Sequence, residues 1–265
     1  MGDRSIRYLT SGTEGSIYTI DNDDSSLIKR VFKEGSIRKK KIIPSIVSNL
    51  KLYNLVRIYE IKSYKLCTVT YEYYRDGLKV RNVKEFRNVV SYRMEKINPA
   101  KKEVNGHIEE KLILDFPLEY IIRNYYLCED TIKELRENNL IVDDLHHGNF
   151  ICTDERIVLI DVDRYTYIKP KLFFGKEKDY SNKIINANKL FEKMIHEHIS
   201  LTHDDEIISL LEFYKFYNNP EYNFIDDIQK YDPNMTLRDY LKIKKKELNI
   251  NFMKKLNFRK EKHES

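Results

Sequence analysis

The segment from residue 143 to residue 163 most constrains the fold and the kind of site that this chain can have, because acidic loop residues alternate there with short apolar runs. It begins Asp143-Asp144-Leu145-His146-His147-Gly148-Asn149, and an apolar strand that ends in Asp161 follows a turn. Taken singly, Asp144, Asn149 and Asp161 would be explained as turn formers. Together, two carboxylates and an amide on a loop and a hairpin are oxygen ligands of the kind that Mg²⁺ prefers. The spacing therefore favours a magnesium site, and together with a glycine-containing turn near the N-terminus it suggests phosphate chemistry.

The first 97 residues have mainly the pattern of strands, and most of the chain after Asn98-Pro99 has the pattern of helices. Strands are predicted at Ile6–Leu9, Ser16–Ile20, Leu27–Phe32, Leu55–Ile61, Leu66–Tyr74 and Val89–Met94, with a turn at 75–77. Helices are predicted at 36–52 with an interruption at Pro44, and at Asn124–Asn138, Asn182–His196, Asp205–Tyr217 and Thr236–Glu247. The expected fold class is α+β, with a β-rich lobe over 1–97, a helical lobe over 98–250 and a basic tail over 251–265.

Composition excludes several classes of protein. The apolar fraction is 41% and the charged fraction 34%, and no apolar run approaches the length of about 20 residues that a membrane helix needs. The first residues lack the apolar core of a secretion signal. Three scattered cysteines are too few for a disulfide framework or a cysteine-based metal site. We therefore expect a cytoplasmic protein that does not act at a membrane.

The net charge of +5 is concentrated at the C-terminus. Residues 242–265 contain nine lysines and arginines against three glutamates, so the rest of the chain is close to neutral. Such a tail could contact nucleic acid, a membrane or an acidic partner. A solvated helical end is the preferred interpretation, and a nucleic-acid partner is not expected.

The segment 144–163 resembles two motifs of the protein-kinase-like superfamily. Asp144-Leu145-His146-His147-Gly148-Asn149 is similar to its catalytic loop, in the form found in aminoglycoside and choline kinases. Asp161-Val162-Asp163 stands where the superfamily has its metal-binding Asp-Phe-Gly motif. The resemblance implies that Asp144 orients or deprotonates an acceptor hydroxyl, and that Asn149 and Asp161 hold Mg²⁺ on the nucleotide phosphates. His146 and His147 are interpreted as loop-packing residues.

The N-terminal half resembles the nucleotide-binding lobe of the same superfamily. Residues 9–18 are similar to its glycine-rich loop, with Gly12 and Gly15 at the second and third glycines and Thr10 at the first. Lys29 stands where the phosphate-contacting lysine, part of the catalytic machinery, is expected. The segment Val90–Lys96 is similar to the fifth strand and the hinge, so the backbone of Met94, Glu95 and Lys96 would contact adenine; Tyr71-Glu72-Tyr73 is an alternative register.

Two features depart from the superfamily: the partner of the strand lysine is missing, and Val142-Asp143 replaces the His-Gly or His-Arg that usually precedes the catalytic aspartate. In the superfamily that lysine pairs with a glutamate of the next helix, but residues 45–49 read Ser-Ile-Val-Ser-Asn and Glu34 is too close to Lys29. Either another acid substitutes or the activity is weak. Asp179 resembles the start of a later core helix, and the short span between Asp161 and Asp179 contains no Ala-Pro-Glu, which disfavours a peptide-binding platform.

These resemblances imply a bilobal protein-kinase-like fold and a phosphotransferase that uses ATP and Mg²⁺. The expected reaction transfers the γ-phosphate to a hydroxyl of a protein or a small molecule. The alternative is a pseudokinase that binds nucleotide or a protein partner without turnover. A nucleic-acid-associated protein that uses the basic tail is the third hypothesis.

Overall fold

The computed structural model describes residues 5–12, 14–75, 77–142, 146–168, 187–202 and 224–247. The chain divides into two compact units. The first is formed by Met1–Asn98, Thr131–Asp144 and Val158–Ile184, and the second by Pro99–Asp130, Leu145–Ile157 and Ile185–Ser265. A sheet dominates the N-terminal part and most helices follow it, which confirms the α+β class. The two-lobed arrangement stays a prediction.

The first unit contains a five-stranded antiparallel sheet. Its strands are β1 (Ile6–Ser11), β2 (Gly15–Ile20), β3 (Asp23–Val31), β4 (Ile58–Arg75) and β5 (Leu78–Glu95). They lie in the order β1-β2-β3-β5-β4. Tyr18, Val31, Val90 and Tyr92 are buried, and apolar residues of β2 alternate with more exposed ones as a strand with one buried face requires.

Strands β4 and β5 form a hairpin that is longer than the sequence predicts. The predicted strands Leu55–Ile61 and Leu66–Tyr74 are largely one strand, because residues 62–65 contain no glycine or proline that would interrupt it. The turn predicted after Tyr74 is present, and Gly77 takes a φ of 76° there. Glycine tolerates that left-handed conformation without strain.

Three hydroxyl groups hold the C-terminal part of β4 against β1 and β2. Ser16 donates to the carbonyl oxygen of Thr70 at 2.6 Å, and the Thr70 N–H donates to the Tyr18 hydroxyl at 2.9 Å. The Glu72 N–H donates to Ser11 Oγ at 2.7 Å. Side chains thus bond backbone groups of β4 that face β1 and β2, as buried backbone polar groups require.

Helix α1 (Ile37–Asn49) runs through Pro44 without a break, so the predicted interruption is wrong. The proline lacks only the N–H that would bond the carbonyl oxygen of Lys40, and its own ring is buried. The Ser36 side chain caps the helix by accepting from the Lys39 N–H. Helix α1 contains no aspartate or glutamate, which matters for the site described below.

The second unit begins with a hairpin that the sequence analysis missed. Strands β6 (Lys101–Val104) and β7 (His107–Glu110) are joined by Asn105-Gly106, and both turn residues have positive φ. An Asn-Gly pair is the commonest signal for a two-residue hairpin turn, so the information was present in the sequence.

Helix α2 (Leu118–Glu137) begins six residues before the predicted start at Asn124. The residues predicted to form its apolar face, Cys128, Ile132 and Leu135, are all buried, which confirms the periodicity on which the helix was predicted.

The remaining elements are short strands and helices. They are β8 (Leu140–Ile141), β9 (Phe150–Cys152), β10 (Ile157–Leu159), β11 (Thr166–Tyr167), α3 (Ala187–Ser200), α4 (Phe224–Ile228) and a helix over residues 237–247. Thr236 accepts from the Asp239 N–H and so starts that last helix as predicted. The predicted helix Asp205–Tyr217 and the tail 251–265 lie outside the described residues. No helix in the described ranges is both long and apolar enough to cross a membrane.

Candidate functional site

Lys29 occupies the centre of the sheet of the first unit. It lies on β3, opposite Ile17 of β2 on one side and Tyr92 of β5 on the other. Its side chain is only 8% exposed. A lysine on a strand usually reaches solvent, so a buried one needs partners for its ammonium group.

Two carboxylates bond the ammonium group of Lys29. Nζ donates to Oδ1 of Asp163 at 2.6 Å and also to Oδ1 of Asp161. The hydroxyl of Tyr92 donates to the same Oδ1 of Asp163 at 2.7 Å. The structure therefore brings together Lys29 and Asp161, which were predicted from separate motifs, and adds Asp163 and Tyr92, for which no role was predicted.

The loop that follows β10 places the two carboxylates. Leu159 is fixed by backbone hydrogen bonds with Asn54 and Val56, at 2.9 and 3.0 Å. Asp161 then takes a left-handed conformation, with φ of 58° and ψ of 37°, and opens a tight turn over Val162–Arg164. Aspartate is among the few non-glycine residues that adopt this conformation readily. The turn brings both aspartates to Lys29.

Burial and charge act in opposite directions on the Lys29 ammonium group. Burial alone would lower the pKa of Lys29, but the charges and hydrogen bonds of Asp163 and Asp161 outweigh it and raise that pKa. Burial would likewise raise the pKa of Asp163, but Lys29 and Tyr92 lower it. Burial and the charge of Asp163 raise the pKa of the Tyr92 phenol well above its ordinary value. At neutral pH Lys29 is therefore an ammonium, Tyr92 a neutral phenol and Asp163 a carboxylate.

Gly15 is close to Lys29, whereas Gly12 lies in open space. A Cβ on Gly15 would stand 3.1 Å from the carbonyl oxygen of Arg30 and 3.2 Å from Cε of Lys29. A Cβ on Gly12 would meet nothing within 4 Å. The N–H of Gly12 donates to the carbonyl oxygen of Gly15 at 3.0 Å and narrows the turn between β1 and β2. The two glycines of the motif thus have different surroundings.

Charged side chains link this turn to the loop after β10. Glu14 contacts Lys33 at 2.8 Å and lies 3.9 Å from Nε of Arg164. The same Nε of Arg164 is 3.7 Å from Oδ2 of Asp161. Sequence reasoning missed Arg164 and Glu14, because no spacing connects a turn residue with one 150 positions later.

Two backbone donors of the predicted hinge are already used within the protein. The N–H of Glu95 donates to the carbonyl oxygen of Arg57 and that of Lys96 to the carbonyl oxygen of Ser25, both at 2.9 Å. Met94 is buried and pairs with residues of both β3 and β4. A contact between this segment and adenine stays a prediction, and in this conformation these two N–H groups would not provide it.

The predicted catalytic loop is only partly described. Asp144 lies outside the described residues, so its role stays a prediction. Asn149 ends a tight turn over His147–Asn149 and is buried in the second unit. His146 accepts from the Gly148 N–H through Nδ1, and the His147 N–H donates to Glu197. Both histidines thus make hydrogen bonds within or next to the loop.

The described cluster combines one ammonium group with two carboxylates, of which that of Asp163 is buried and that of Asp161 is partly exposed. No group of three or more histidine, cysteine, aspartate and glutamate side chains that could hold a metal occurs in the described ranges. The Asp161 carboxylate is 27% exposed and is the more accessible of the two acids at Lys29. An ammonium group beside an accessible carboxylate can hold a phosphate oxygen and contribute one ligand to a cation.

Comparisons with known proteins define no family for this chain. Its sequence matches no model of a known protein family and no curated protein. Among solved structures, a match is found with the Cydia pomonella granulovirus kinase PK-1, at 11% identity and a TM-score of 0.39. The match covers 64% of this chain and 58% of that one, so this chain spans less than two thirds of that kinase. A likeness of this extent does not define the fold or the activity.

Proposed function

We propose that this chain is a kinase-like phosphotransferase that binds ATP with Mg²⁺ and transfers the γ-phosphate to a hydroxyl of a protein or a small molecule. The observation that carries the proposal is the contact between Lys29 and Asp161, which lie 132 positions apart in the sequence. Two separate motifs predicted these residues as a phosphate ligand and a metal ligand. Their contact supports the assignment of both motifs to one site.

The donor set fits Mg²⁺ when the ion arrives with phosphate. Magnesium in nucleotide sites takes one or two carboxylates from the protein, and it takes its other ligands from phosphate oxygens and water. Asp161 provides one such carboxylate, and Asn149 is the second proposed ligand, through its amide oxygen. A site of this kind does not need the group of three or more histidine, cysteine, aspartate and glutamate side chains that the described ranges lack.

The residues of the chain would divide the work of the reaction. Lys29 would hold phosphate oxygens with its ammonium group, and Asp144 would orient the acceptor hydroxyl or accept its proton. Asp161 would bind the cation on the nucleotide. Bound Mg²⁺·ATP supplies the transferred phosphoryl group and neutralises part of its charge. Such transfer depends on positioning and electrostatic stabilisation more than on covalent chemistry.

A pseudokinase that binds nucleotide without turnover is the second candidate. Helix α1 favours it, because that helix contains no acid that could pair with Lys29 in the way the superfamily uses. The presence of Asp144, Asn149 and Asp161 at the expected spacing favours the enzyme. The two candidates share the nucleotide site and differ only in turnover.

Thermal unfolding with ATP tests the shared site. A ligand that binds only the folded protein stabilises it by about 2.7 kcal/mol at a hundredfold excess over Kd. We expect ATP with Mg²⁺ to raise the Tm clearly, ATP with EDTA to raise it little, and Asp161→Asn to remove the difference. Asp154→Asn, which changes an exposed turn carboxylate that lies 3.4 Å from Lys111, is the control and should keep the difference.

Turnover then separates the two candidates. Transfer of label from ATP to water, a small molecule or a protein in the presence of Mg²⁺ supports the enzyme. Binding without any transfer supports the pseudokinase. An ATP-induced rise in Tm that is equal with and without metal would remove the metal role of Asp161. If ATP does not change the Tm at all, the proposed function is wrong.

A further inference from the structure

We infer that Asp163, held by Tyr92, is the fixed counter-ion that positions Lys29, and that Asp161 is its exchangeable partner. No acid on α1 can take the fixed role, because that helix has none. The part of this inference that concerns nucleotide binding rests on the proposed function. The fixed ion pair itself does not depend on it.

Burial separates Asp163 from Asp161. The side chain of Asp163 is 4% exposed and that of Lys29 8%, whereas that of Asp161 is 27% exposed. A buried charge without a partner is strongly unfavourable, so separating Lys29 from Asp163 would cost much free energy. Asp161 can exchange its contact with Lys29 for water or a ligand at a smaller cost in free energy.

The sheet fixes both groups that donate to Asp163. Lys29 and Tyr92 are paired directly across β3 and β5, so one backbone ladder sets the positions of the ammonium group and the phenol. Both groups bond Oδ1 of Asp163, at 2.6 and 2.7 Å. Tyr92 is 1% exposed and has no room to turn away. The carboxylate is thus held in one place, and it holds the end of the flexible lysine side chain.

The second unit contains a similar aspartate, bonded by a tyrosine hydroxyl and a lysine ammonium group, and this aspartate provides a matched control. Asp227 accepts from the Tyr240 hydroxyl at 2.7 Å and contacts Nζ of Lys244 at 2.8 Å. Its side chain is 12% exposed. Asp227→Asn therefore removes the same kind of carboxylate from a tyrosine and from two lysines, Lys244 and, at 3.5 Å, Lys230, and none of these belongs to the predicted nucleotide site.

A double-mutant cycle, measured by thermal unfolding without nucleotide, tests the fixed ion pair between Lys29 and Asp163. Removing one partner of a buried ion pair leaves the other charge buried and unpaired, so Asp163→Asn should lower the Tm by roughly 6–20 °C. In a Lys29→Met background the same change removes a buried charge that has lost its partner, and it should leave the Tm unchanged or raise it. Asp161→Asn should change the Tm by less than about 4 °C in the wild-type background. Equal losses from Asp163→Asn in both backgrounds would overturn the inference.

Nucleotide binding tests the positioning role. At a temperature where every variant is folded, Asp163→Asn should weaken Mg²⁺·ATP binding at least tenfold, whereas Asp227→Asn should leave Kd unchanged. Tyr92→Phe keeps the ring and removes only the hydroxyl that bonds Asp163. It is the variant to measure if Asp163→Asn does not fold. It should weaken binding in the same direction by a smaller factor.

The outcomes distinguish the inference from the proposed function. If the wild type binds no Mg²⁺·ATP, the proposed function is wrong. The double-mutant cycle still decides whether Asp163 is the fixed partner of Lys29. If Asp163→Asn or Tyr92→Phe loses stability but binds Mg²⁺·ATP like the wild type, Asp163 has a structural role only and the positioning role is wrong.

Discussion

A Cβ atom on Gly15 would stand 3.2 Å from Cε of Lys29, closer than most side-chain neighbours come in folded proteins. The glycine at this position therefore makes room for the aliphatic part of a buried lysine. The resemblance to the glycine-rich loop implies a second reason for the glycine, because a residue without a Cβ lets phosphate approach the backbone amides. Both explanations can hold, but only the first follows from the contacts of the described residues.

Gly15→Ala should destabilise the protein and disturb Lys29. The added methyl group would also stand 3.1 Å from the carbonyl oxygen of Arg30, which the sheet holds in place. Overpacking of this kind typically costs about 1–3 kcal/mol. Urea unfolding measures the change in the free energy of unfolding, and the affinity for Mg²⁺·ATP should fall in parallel.

Gly12→Ala is the matched control for stability. Its methyl group would enter open space, so the free energy of unfolding should stay within about 0.5 kcal/mol of the wild type. Equal destabilisation by the two substitutions would contradict the packing role assigned to Gly15.

His198 should make the protein less stable in mild acid. It is buried, accepts the Ile113 N–H at Nδ1 and packs on the ring of Phe150. Burial, with a smaller contribution from the charge of His147, lowers the pKa of His198 to about 4 from an ordinary value of 6.5. The unfolded chain then binds this proton more readily than the folded one does. The free energy of unfolding should therefore fall as the pH drops from about 6.5 to 4, by at most about 3 kcal/mol.

Urea unfolding of His198→Gln at pH 7 and pH 4.5 measures that contribution. Glutamine keeps a hydrogen-bond acceptor but does not titrate, so the variant should lose less stability than the wild type between the two pH values. His107→Gln, at an exposed position of β7, should behave like the wild type. An unchanged pH dependence in His198→Gln would show that other groups cause the acid sensitivity.

Short-range patterns predicted the part of the fold that depends on neighbouring residues in the sequence. The β-forming residues of β2 and β3 and the apolar face of α2 predicted those elements, although their ends differ from the predicted ones by up to six residues. The predicted break at Pro44 was wrong because one missing backbone bond does not outweigh the other hydrogen bonds of the helix and the burial of Pro44 and Val47. The hairpin at Asn105-Gly106 was missed although its turn signal is specific.

The site was predictable only where two motifs meet. Lys29 and Asp161 were predicted from their separate motifs, and the structure brings them together. Asp163 stood in the sequence as a replacement for a motif glycine, and an acid in a turn gives no sign that it is buried. Its burial depends on Tyr92 and Lys29, which are 71 and 134 positions away. No pattern within a single segment contains that information.

The basic tail provides a test of the third functional hypothesis. If residues 251–265 are a solvated end, their deletion should leave the Tm and the affinity for Mg²⁺·ATP unchanged within error. Thermal unfolding and a fluorescent nucleotide titration measure both. An affinity for DNA or RNA that disappears with the tail and falls steeply with salt would instead support a nucleic-acid partner.

Asp144→Asn separates the enzyme from the pseudokinase at one residue. The substitution keeps the size of the side chain and removes its charge and basicity, so a group that acts on the acceptor hydroxyl should be lost while the nucleotide site stays intact. We expect Kd for Mg²⁺·ATP to stay within a few-fold, and turnover to fall by roughly 10²–10⁴, the range for loss of a positioned acid–base group. Asp161→Asn is the comparison, since loss of a proposed metal ligand should weaken binding as well as turnover. If the wild type turns over and Asp144→Asn is equally fast, the catalytic loop has been assigned to the wrong residues.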